Sequence, residues 1–199
     1  MANANAPRGL VPVRYFSGAP YNGAANIYFV PATYGSAIYP GDPVIGVTNS
    51  EDAGSGIPTV QLASAGSNNY IQGVMVGIAP GGEPQIAVTR DLPVYHPAST
   101  AGFILVADDP NLLFSVQEDS NGGALAAGAA GRNVNLVSGA GSATYGTSGW
   151  QLQSSSLNTT NTLQMRILRL LEQADNAAGV NAKWLCKINL HQFQNLTGV

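Results

Sequence analysis

Short stretches of alternating apolar and polar residues recur along the chain, and they predict β-strands rather than helices. The clearest is "AKWLCKINL", Ala182–Leu190, in which every second residue is apolar. One face of such a strand is buried, and the other carries lysines and asparagine. Glycines and prolines separate the stretches, as in an all-β domain with many turns. The other regular predicted strands are Asn26–Val30, Pro43–Thr48, Thr59–Ala63, Gln85–Thr89, Gly102–Asp108, Leu112–Gln117 and Asn133–Val137.

Two further apolar stretches depart from simple alternation. Ile71–Ala79 is apolar on both faces and has glycines at positions 73 and 77, which predicts a central strand that another layer approaches closely. Leu163–Glu172 fits a strand, through Leu163, Met165 and Ile167, but it also fits a helix. We predict a strand, because the "QADNAAG" that follows is typical of a turn between paired strands.

Two segments lack a clear period. Residues 1–25 contain three prolines and predict an extended N-terminal arm, followed by a single β domain over residues 26–199. The arm has too many apolar side chains for a solvated tail, so we expect them to contact a neighbouring molecule or, alternatively, their own domain. Residues 120–149 are rich in Gly, Ala and Ser, yet "RNVNLV" within them alternates, which favours an ordered excursion over a flexible linker. The arm residues concerned are Leu10, Val11, Val13, Tyr15, Phe16 and Tyr21.

Charged residues are scarce. Lys, Arg, Asp and Glu make up 10% of the 199 residues, against about 25% in a typical soluble domain. Such a surface resists association weakly, which favours a protein that works packed against others. The net charge is −3 and the eight cations are scattered along the sequence, which argues against a groove that follows nucleic-acid phosphates. The single cysteine excludes internal disulfides, and we expect neither a signal peptide nor a membrane-spanning segment.

The densest group of charges is acidic and lies in "ADDPNLLFSVQED", residues 107–119. Asp109-Pro110-Asn111 suits a type I turn, so the pattern predicts a hairpin between the two flanking strands. In that hairpin Asp108 and Glu118 are about 17 Å apart, a distance that no metal ion bridges. We therefore expect the four acidic residues to be solvated, at the turn and at the strand ends.

No catalytic motif is recognisable. His96 lies between prolines and His191 follows the polar face of the last strand, so we expect both at the surface or in a subunit contact. The segment "GTSGW" falls short of the Gly-x-Ser-x-Gly motif, and neither a Walker loop nor a dinucleotide fingerprint occurs. Cys186 is expected to point into the core and to be unreactive. The sequence thus predicts no enzyme, no cofactor and no metal site.

Five segments, taken together and in this order, resemble a known family. They are "MANANAPRGLVPVR", "IYPGDPV", "VADDPNLLFSVQED", "YGTSGWQL" and "AKWLCKINLHQF". They are similar to the capsid cement, or head decoration, proteins of tailed bacteriophages, especially short-tailed ones. The resemblance implies a jelly-roll-like or barrel-like antiparallel β-sandwich that binds the outside of the phage head and clamps neighbouring capsid subunits.

The resemblance also implies partners and a location. The partners are the major capsid protein and further copies of the chain, in a dimer or trimer, with no direct contact to nucleic acid or membrane. The protein is expected on the outer capsid surface of the virion, after synthesis in the cytoplasm of the bacterial host.

Two other classes of function stay open at this point. A carbohydrate-binding β-sandwich or fibre-base adhesin would use exposed aromatic rings as platforms for sugars. A cupin-like metalloenzyme would need clustered histidines and carboxylates, and the chain has two histidines. The aromatic residues considered as sugar platforms are Tyr15, Tyr21, Tyr34, Tyr39 and Trp150.

Overall fold

The chain folds into β-strands and turns, which confirms the prediction of an all-β, sandwich-like protein. The computed structural model describes residues 3–51, 56–79 and 93–194. The strands of these residues are β1 (Val11–Tyr15), β2 (Asn26–Val30), β3 (Pro43–Glu51), β4 (Pro58–Leu62), β5 (Gly73–Ala79), β6 (Gly102–Ala107), β7 (Leu112–Gln117), β8 (Asn133–Val134), β9 (Leu136–Val137), β10 (Gln151–Leu152), β11 (Met165–Leu170) and β12 (Lys183–Ile188). The predicted strand at Gln85–Thr89 lies outside the described residues.

Five of these strands form an antiparallel sheet in the order β1-β7-β12-β11-β8. The alternation seen in the sequence decides which side chains face inward. Cys186 of β12 is opposite Phe114 of β7 and Ile167 of β11, and directly opposed residues share a face of a sheet. All three side chains are fully buried, so this row belongs to the inner face.

Five further strands close into a barrel in the order β2-β4-β3-β5-β6. Its interior is filled by apolar side chains that include Tyr28, Met75 and Ile104. β5 lies between β3 and β6 and is the central strand that the sequence predicts. A Cβ atom on Gly73 would lie 2.6 Å from the carbonyl oxygen of Ala107, so the neighbouring backbone approaches as closely as the glycine suggested.

The inner face of the five-stranded sheet packs against the barrel. One apolar cluster joins Phe114 and Trp184 of the sheet to Ile71 and Val74. Ile71 lies just before β5, and Val74 is the second residue of that strand. A smaller cluster on the opposite side of the sheet contains Leu113 and other leucines. The main core therefore lies between the two layers, and the sheet has an outer face of its own.

The prediction of a hairpin over residues 107–119 is wrong, although the turn predicted at Asp109 is present. The Leu112 amide donates to the Asp109 carbonyl oxygen at 3.0 Å and the Asn111 amide donates to the Asp109 carboxylate at 2.7 Å. The strands on either side do not pair with each other: β6 pairs with β2 and β5 in the barrel, and β7 pairs with β1 and β12 in the sheet. The turn passes the chain from one layer to the other.

The C-terminal part and the Gly/Ala/Ser-rich segment follow their predictions in outline. β11 is a strand, not a helix, and it pairs with β12 across the predicted turn. Residues 120–149 are an ordered excursion in which Leu125 and Ala129 enter the main core. The single strand predicted at Asn133–Val137 is two short strands, β8 and β9, which belong to different sheets.

The chain covers both edges of the five-stranded sheet itself. At one edge residues 19–21 turn back and hydrogen bond to the backbone of Tyr15 and Val13. At the other edge Asn133 and Asn158 exchange two backbone hydrogen bonds of 2.8 and 2.9 Å. Each edge strand of the sheet is therefore paired, over part of its length, with another segment of the same chain.

Candidate functional site

The arm residues predicted to contact another molecule occupy two environments. Leu10 is completely buried in the protein's own core, so it is not available to a partner. Val11 and Phe16 are exposed, by 40% and 64% respectively. The half-buried members of the predicted set, which pack on the protein's own apolar clusters, are Val13, Tyr15 and Tyr21.

Phe16 lies at the end of β1, beside the turn that leads into β7. Its amide donates to the carbonyl oxygen of Asn111 at 2.7 Å, which fixes the backbone at this point. The ammonium nitrogen of Lys187, on β12, lies 5.7 Å from the centre of the Phe16 ring, within the range of a cation–π contact. The ring is thus held in place while most of it stays exposed.

A buried turn anchors the start of the arm. The Leu10 amide donates to the carbonyl oxygen of Gly41 at 2.9 Å, and the Ser148 amide donates to that of Pro40 at 3.2 Å. Gly9 has a φ of +67°, a conformation that costs glycine little. A Cβ atom on Gly9 would also overlap the Gly41 carbonyl oxygen. Three distant parts of the sequence are therefore fixed together here.

Asp42 is the buried acid of this anchor. Its carboxylate accepts a hydrogen bond of 2.8 Å from the Tyr39 amide and another from the hydroxyl of Ser148. Burial raises the pKa of Asp42 to about 6, against the opposing effect of these hydrogen bonds. No sequence motif pointed to this residue, because Asp in "PGDP" reads as an ordinary turn residue.

Two of the four acidic residues in 107–119 are buried, which contradicts the expectation that all are solvated. Asp108 accepts hydrogen bonds from the hydroxyl of Tyr28 at 2.6 Å and from the side-chain amide of Asn26 at 2.9 and 3.0 Å. Burial, followed by the hydrogen bond to Asp108, raises the pKa of Tyr28, so its hydroxyl stays protonated. Glu118 is 0% exposed. It accepts a hydrogen bond from the Leu125 amide at 2.7 Å, and burial raises its pKa.

Both histidines are also buried, so the predicted surface position is wrong for each. His96 pairs with Ile38 through two backbone hydrogen bonds, and His191 forms a bridge with Ile71. Burial lowers the pKa of His96 and lowers that of His191 to about 4. The Nδ1 atom of His191 accepts a hydrogen bond from the Phe193 amide at 3.2 Å, which fits a neutral ring.

These buried polar groups do not form a recognisable catalytic arrangement. Ser148 contacts a carboxylate, Asp42, whereas the ring nitrogens of the two histidines have no serine or cysteine partner among the described residues. Cys186 is buried, as predicted, and burial raises the pKa of its thiol. Across residues 3–51, 56–79 and 93–194, no three His, Cys, Asp or Glu side chains are placed to hold a metal ion.

Two of the five aromatic residues considered as sugar platforms are unsuited to that role. Trp150 is 4% exposed and belongs to the main core, so it was wrong to expect it at the surface. One face of the Tyr39 ring stacks on Tyr95 with the ring centres 4.8 Å apart. A Cβ atom on Gly141 would overlap the Tyr39 ring, so Gly141 packs directly against that ring as well.

Cations that are scattered in sequence meet on the outer face of the five-stranded sheet. Leu113 of β7 is opposite Arg14 of β1 and Lys187 of β12, and Lys187 is opposite Arg166 of β11. Because directly opposed residues share a face, Arg14, Lys187 and Arg166 form one row across four strands. We call this row the basic row.

Two more cations lie on the same face. Arg169 is opposite Leu185, and Lys183 is opposite Gln117. Five of the eight cations therefore share this face, a feature that the sequence analysis missed. The signal was present in "MRILRL" and "AKWLCKI", where cations occupy the positions between inward-facing residues.

The comparisons with known proteins add no relative. Neither the protein-family models, nor the curated proteins, nor the solved structures contain a match to this chain. In the part of the chain that the structure describes, no helix is long and apolar enough to cross a membrane.

Proposed function

We propose that this chain is a structural virion protein, a capsid cement or decoration protein of a tailed bacteriophage. It binds the outer surface of the head, where it contacts the major capsid protein across subunit boundaries. A ligand that binds only the assembled shell stabilises that shell by its binding free energy. The protein works as a homo-oligomer and without enzymatic activity, at the outer capsid surface of virions made in the bacterial host cytoplasm.

The observation that carries the proposal is the spatial grouping of the five segments that resemble cement proteins. The segments with residues 1–14, 106–119 and 182–193 contribute the neighbouring strands β1, β7 and β12. The segments 38–44 and 145–152 meet the arm at the buried anchor around Asp42 and Ser148. The resemblance therefore covers one connected region of the fold rather than isolated turns.

The same region offers a suitable contact surface. Val11 is the first residue of β1 and Phe16 directly follows its last residue, and both have exposed apolar side chains. The backbone of β1 is hydrogen bonded to β7 on one side and to residues 19–21 on the other. A rigid surface loses little conformational freedom on binding, which favours affinity. Deletion of the arm would not test this contact cleanly, because it also removes β1 and the buried Leu10.

Point substitutions at the exposed positions test the proposal instead. Purified protein is added to phage heads that lack it, and the bound copies are counted. We expect saturable binding at a copy number that fits icosahedral symmetry, weakened by Val11→Ser together with Phe16→Ser. Val180→Ser is the control, since Val180 is 58% exposed but lies outside the arm. Absence of saturable binding by the unmodified protein would refute the proposal.

A further inference from the structure

The basic row lies on a layer of buried leucine, and none of the described strands forms a further layer over it. Leu113 is 2% exposed and Leu185 is 1% exposed, although both point to the outer face. Leu113 lies between Arg14 and Lys187 in the row. Long cationic side chains cover apolar neighbours with their methylene stems and keep their charged ends in water. The row therefore presents cations to solvent on a firm apolar base.

The three cations of the row differ in their surroundings from the other two cations on this face. Arg169 pairs with Glu172 at 2.6 Å, and Lys183 lies 3.9 Å from Asp175. Within residues 3–51, 56–79 and 93–194, no carboxylate oxygen lies within 4.0 Å of the charged nitrogens of Arg14, Arg166 or Lys187.

The spacing of the row defines the chemistry that fits it. Neighbouring strands are about 4.8 Å apart, so Arg166 and Lys187 are close enough to bind one carboxylate, and the row extends about 14 Å from β1 to β11. The side-chain Nε of Arg166 donates to Asn133 at 2.9 Å, which orients the guanidinium. Like charges directly opposite each other in a sheet are unfavourable, and an anion between them removes that cost.

We propose that the outer face of the five-stranded sheet docks on an acidic protein surface, whose carboxylates bind the basic row. The exposed ring of Phe16, held under Lys187, adds an aromatic contact of the kind enriched in protein interfaces. This inference rests on the proposed function and deepens it, because it states which face meets the shell and the charge of the shell surface that it meets.

A nucleic acid fits this face less well. Glu172 and Asp175 lie at the margin of the face, both largely exposed, and they repel a chain of phosphates that continues past the row. A protein surface places a few carboxylates on the row and avoids the acidic margin. A second copy of this chain offers fewer carboxylates than its composition suggests, because Asp42, Asp108 and Glu118 are buried.

The test uses the full chain with Arg166→Gln and Lys187→Gln combined. The control combines Arg8→Gln and Arg132→Gln, which removes the same charge from positions outside the row. Binding is measured to heads that lack the protein, to poly-L-glutamate and to a 20-nucleotide oligothymidylate, in about 50 mM and 500 mM NaCl. Circular dichroism and thermal unfolding establish that both variants are folded.

We expect the row variant to bind heads and poly-L-glutamate at least tenfold more weakly than the unmodified protein at low salt. The difference shrinks at high salt, where ions screen exposed charges, and the control stays within about threefold of the unmodified protein. The inference is overturned if the row variant binds heads and poly-L-glutamate as tightly as the unmodified protein does. It is also overturned if the row variant and the control lose affinity to the same extent. Oligothymidylate that binds through the row and competes with heads also overturns it.

The outcomes separate this inference from the proposed function. If the unmodified protein binds heads and the row variant binds equally well, the docking face is wrong but the cement function stands. If the unmodified protein does not bind heads, the cement function fails, and poly-L-glutamate binding still decides whether the row recognises an acidic protein surface. If the unmodified protein binds poly-L-glutamate and the row variant does not, the docking face is supported. If the unmodified protein does not bind poly-L-glutamate, the docking face is overturned.

Discussion

Asp42 makes the stability of this protein depend on pH in the weakly acidic range. The carboxyl group lies in the anchor between the arm, the 39–42 turn and the 146–150 segment, where it is 3% exposed. Burial raises its pKa from an ordinary value of 3.8 to about 6 in the folded protein. The folded state therefore binds the proton more tightly than the unfolded chain does, and ionisation of Asp42 opposes folding.

The sign and size of the effect follow from these two pKa values. The stabilisation is fully present below about pH 4 and is lost as the pH rises through about 6. A tenfold change in proton affinity corresponds to about 1.4 kcal/mol, so the change from 3.8 to about 6 corresponds to about 3 kcal/mol. For a chain of this length that is a shift of roughly 6–12 °C in melting temperature.

The experiment compares the unmodified protein with Asp42→Asn by urea unfolding between pH 4 and pH 8. Asparagine keeps an oxygen that can accept the hydrogen bond from the Tyr39 amide, but its side chain does not ionise. The free energy of unfolding of Asp42→Asn minus that of the unmodified protein should therefore rise by about 2.4 kcal/mol from pH 4 to pH 7. Taking this difference removes the contributions of Glu118 and the buried histidines, which titrate in both proteins.

Asp109→Asn is the matched control, because it makes the same substitution on an exposed turn that tolerates Asn. Its difference from the unmodified protein should change little with pH. If the difference for Asp42→Asn is equally flat, Asp42 does not titrate with a raised pKa, and the argument from burial is wrong.

Three further outcomes are expected from the packing. Gly9→Ala should destabilise the fold by more than about 2 kcal/mol, because its Cβ overlaps the Gly41 carbonyl oxygen. Gly18→Ala, with positive φ but nothing within 4 Å, should cost only about 1 kcal/mol in the same urea unfolding assay; equal costs would contradict the steric argument. Thr59→Val should leave the free energy of unfolding unchanged or raise it by about 1 kcal/mol, since the buried Thr59 hydroxyl has no hydrogen-bond partner among the described residues; a clear loss would reveal a partner. Cys186 should react with an aromatic disulfide reagent only on unfolding, because its thiol is buried; fast labelling of native protein would contradict its position.

The local pattern of the sequence determined most of the strands, although not β1, which lies in a segment without a clear period. Alternation with a period of two requires only neighbouring residues, so "AKWLCKINL" predicted both the strand β12 and the inward position of Trp184 and Cys186. In β11 alternation left both strand and helix possible, and the turn-like sequence that follows it decided for the strand. The turn at Asp109 was predictable as well, because its hydrogen bonds join residues two and three positions apart.

Only the tertiary structure decided which strands pair and which polar residues are buried. Strands β6 and β7 are joined by a tight turn, yet β6 pairs with strands of the barrel and β7 with strands of the five-stranded sheet. A local pattern contains no information about those partners, because they are far away in sequence. The burial of Asp108 and His191 follows from that arrangement, as does the meeting of Arg14, Arg166 and Lys187 on one face. These contacts join residues far apart in sequence, and the free energy that selects them comes from packing the whole core.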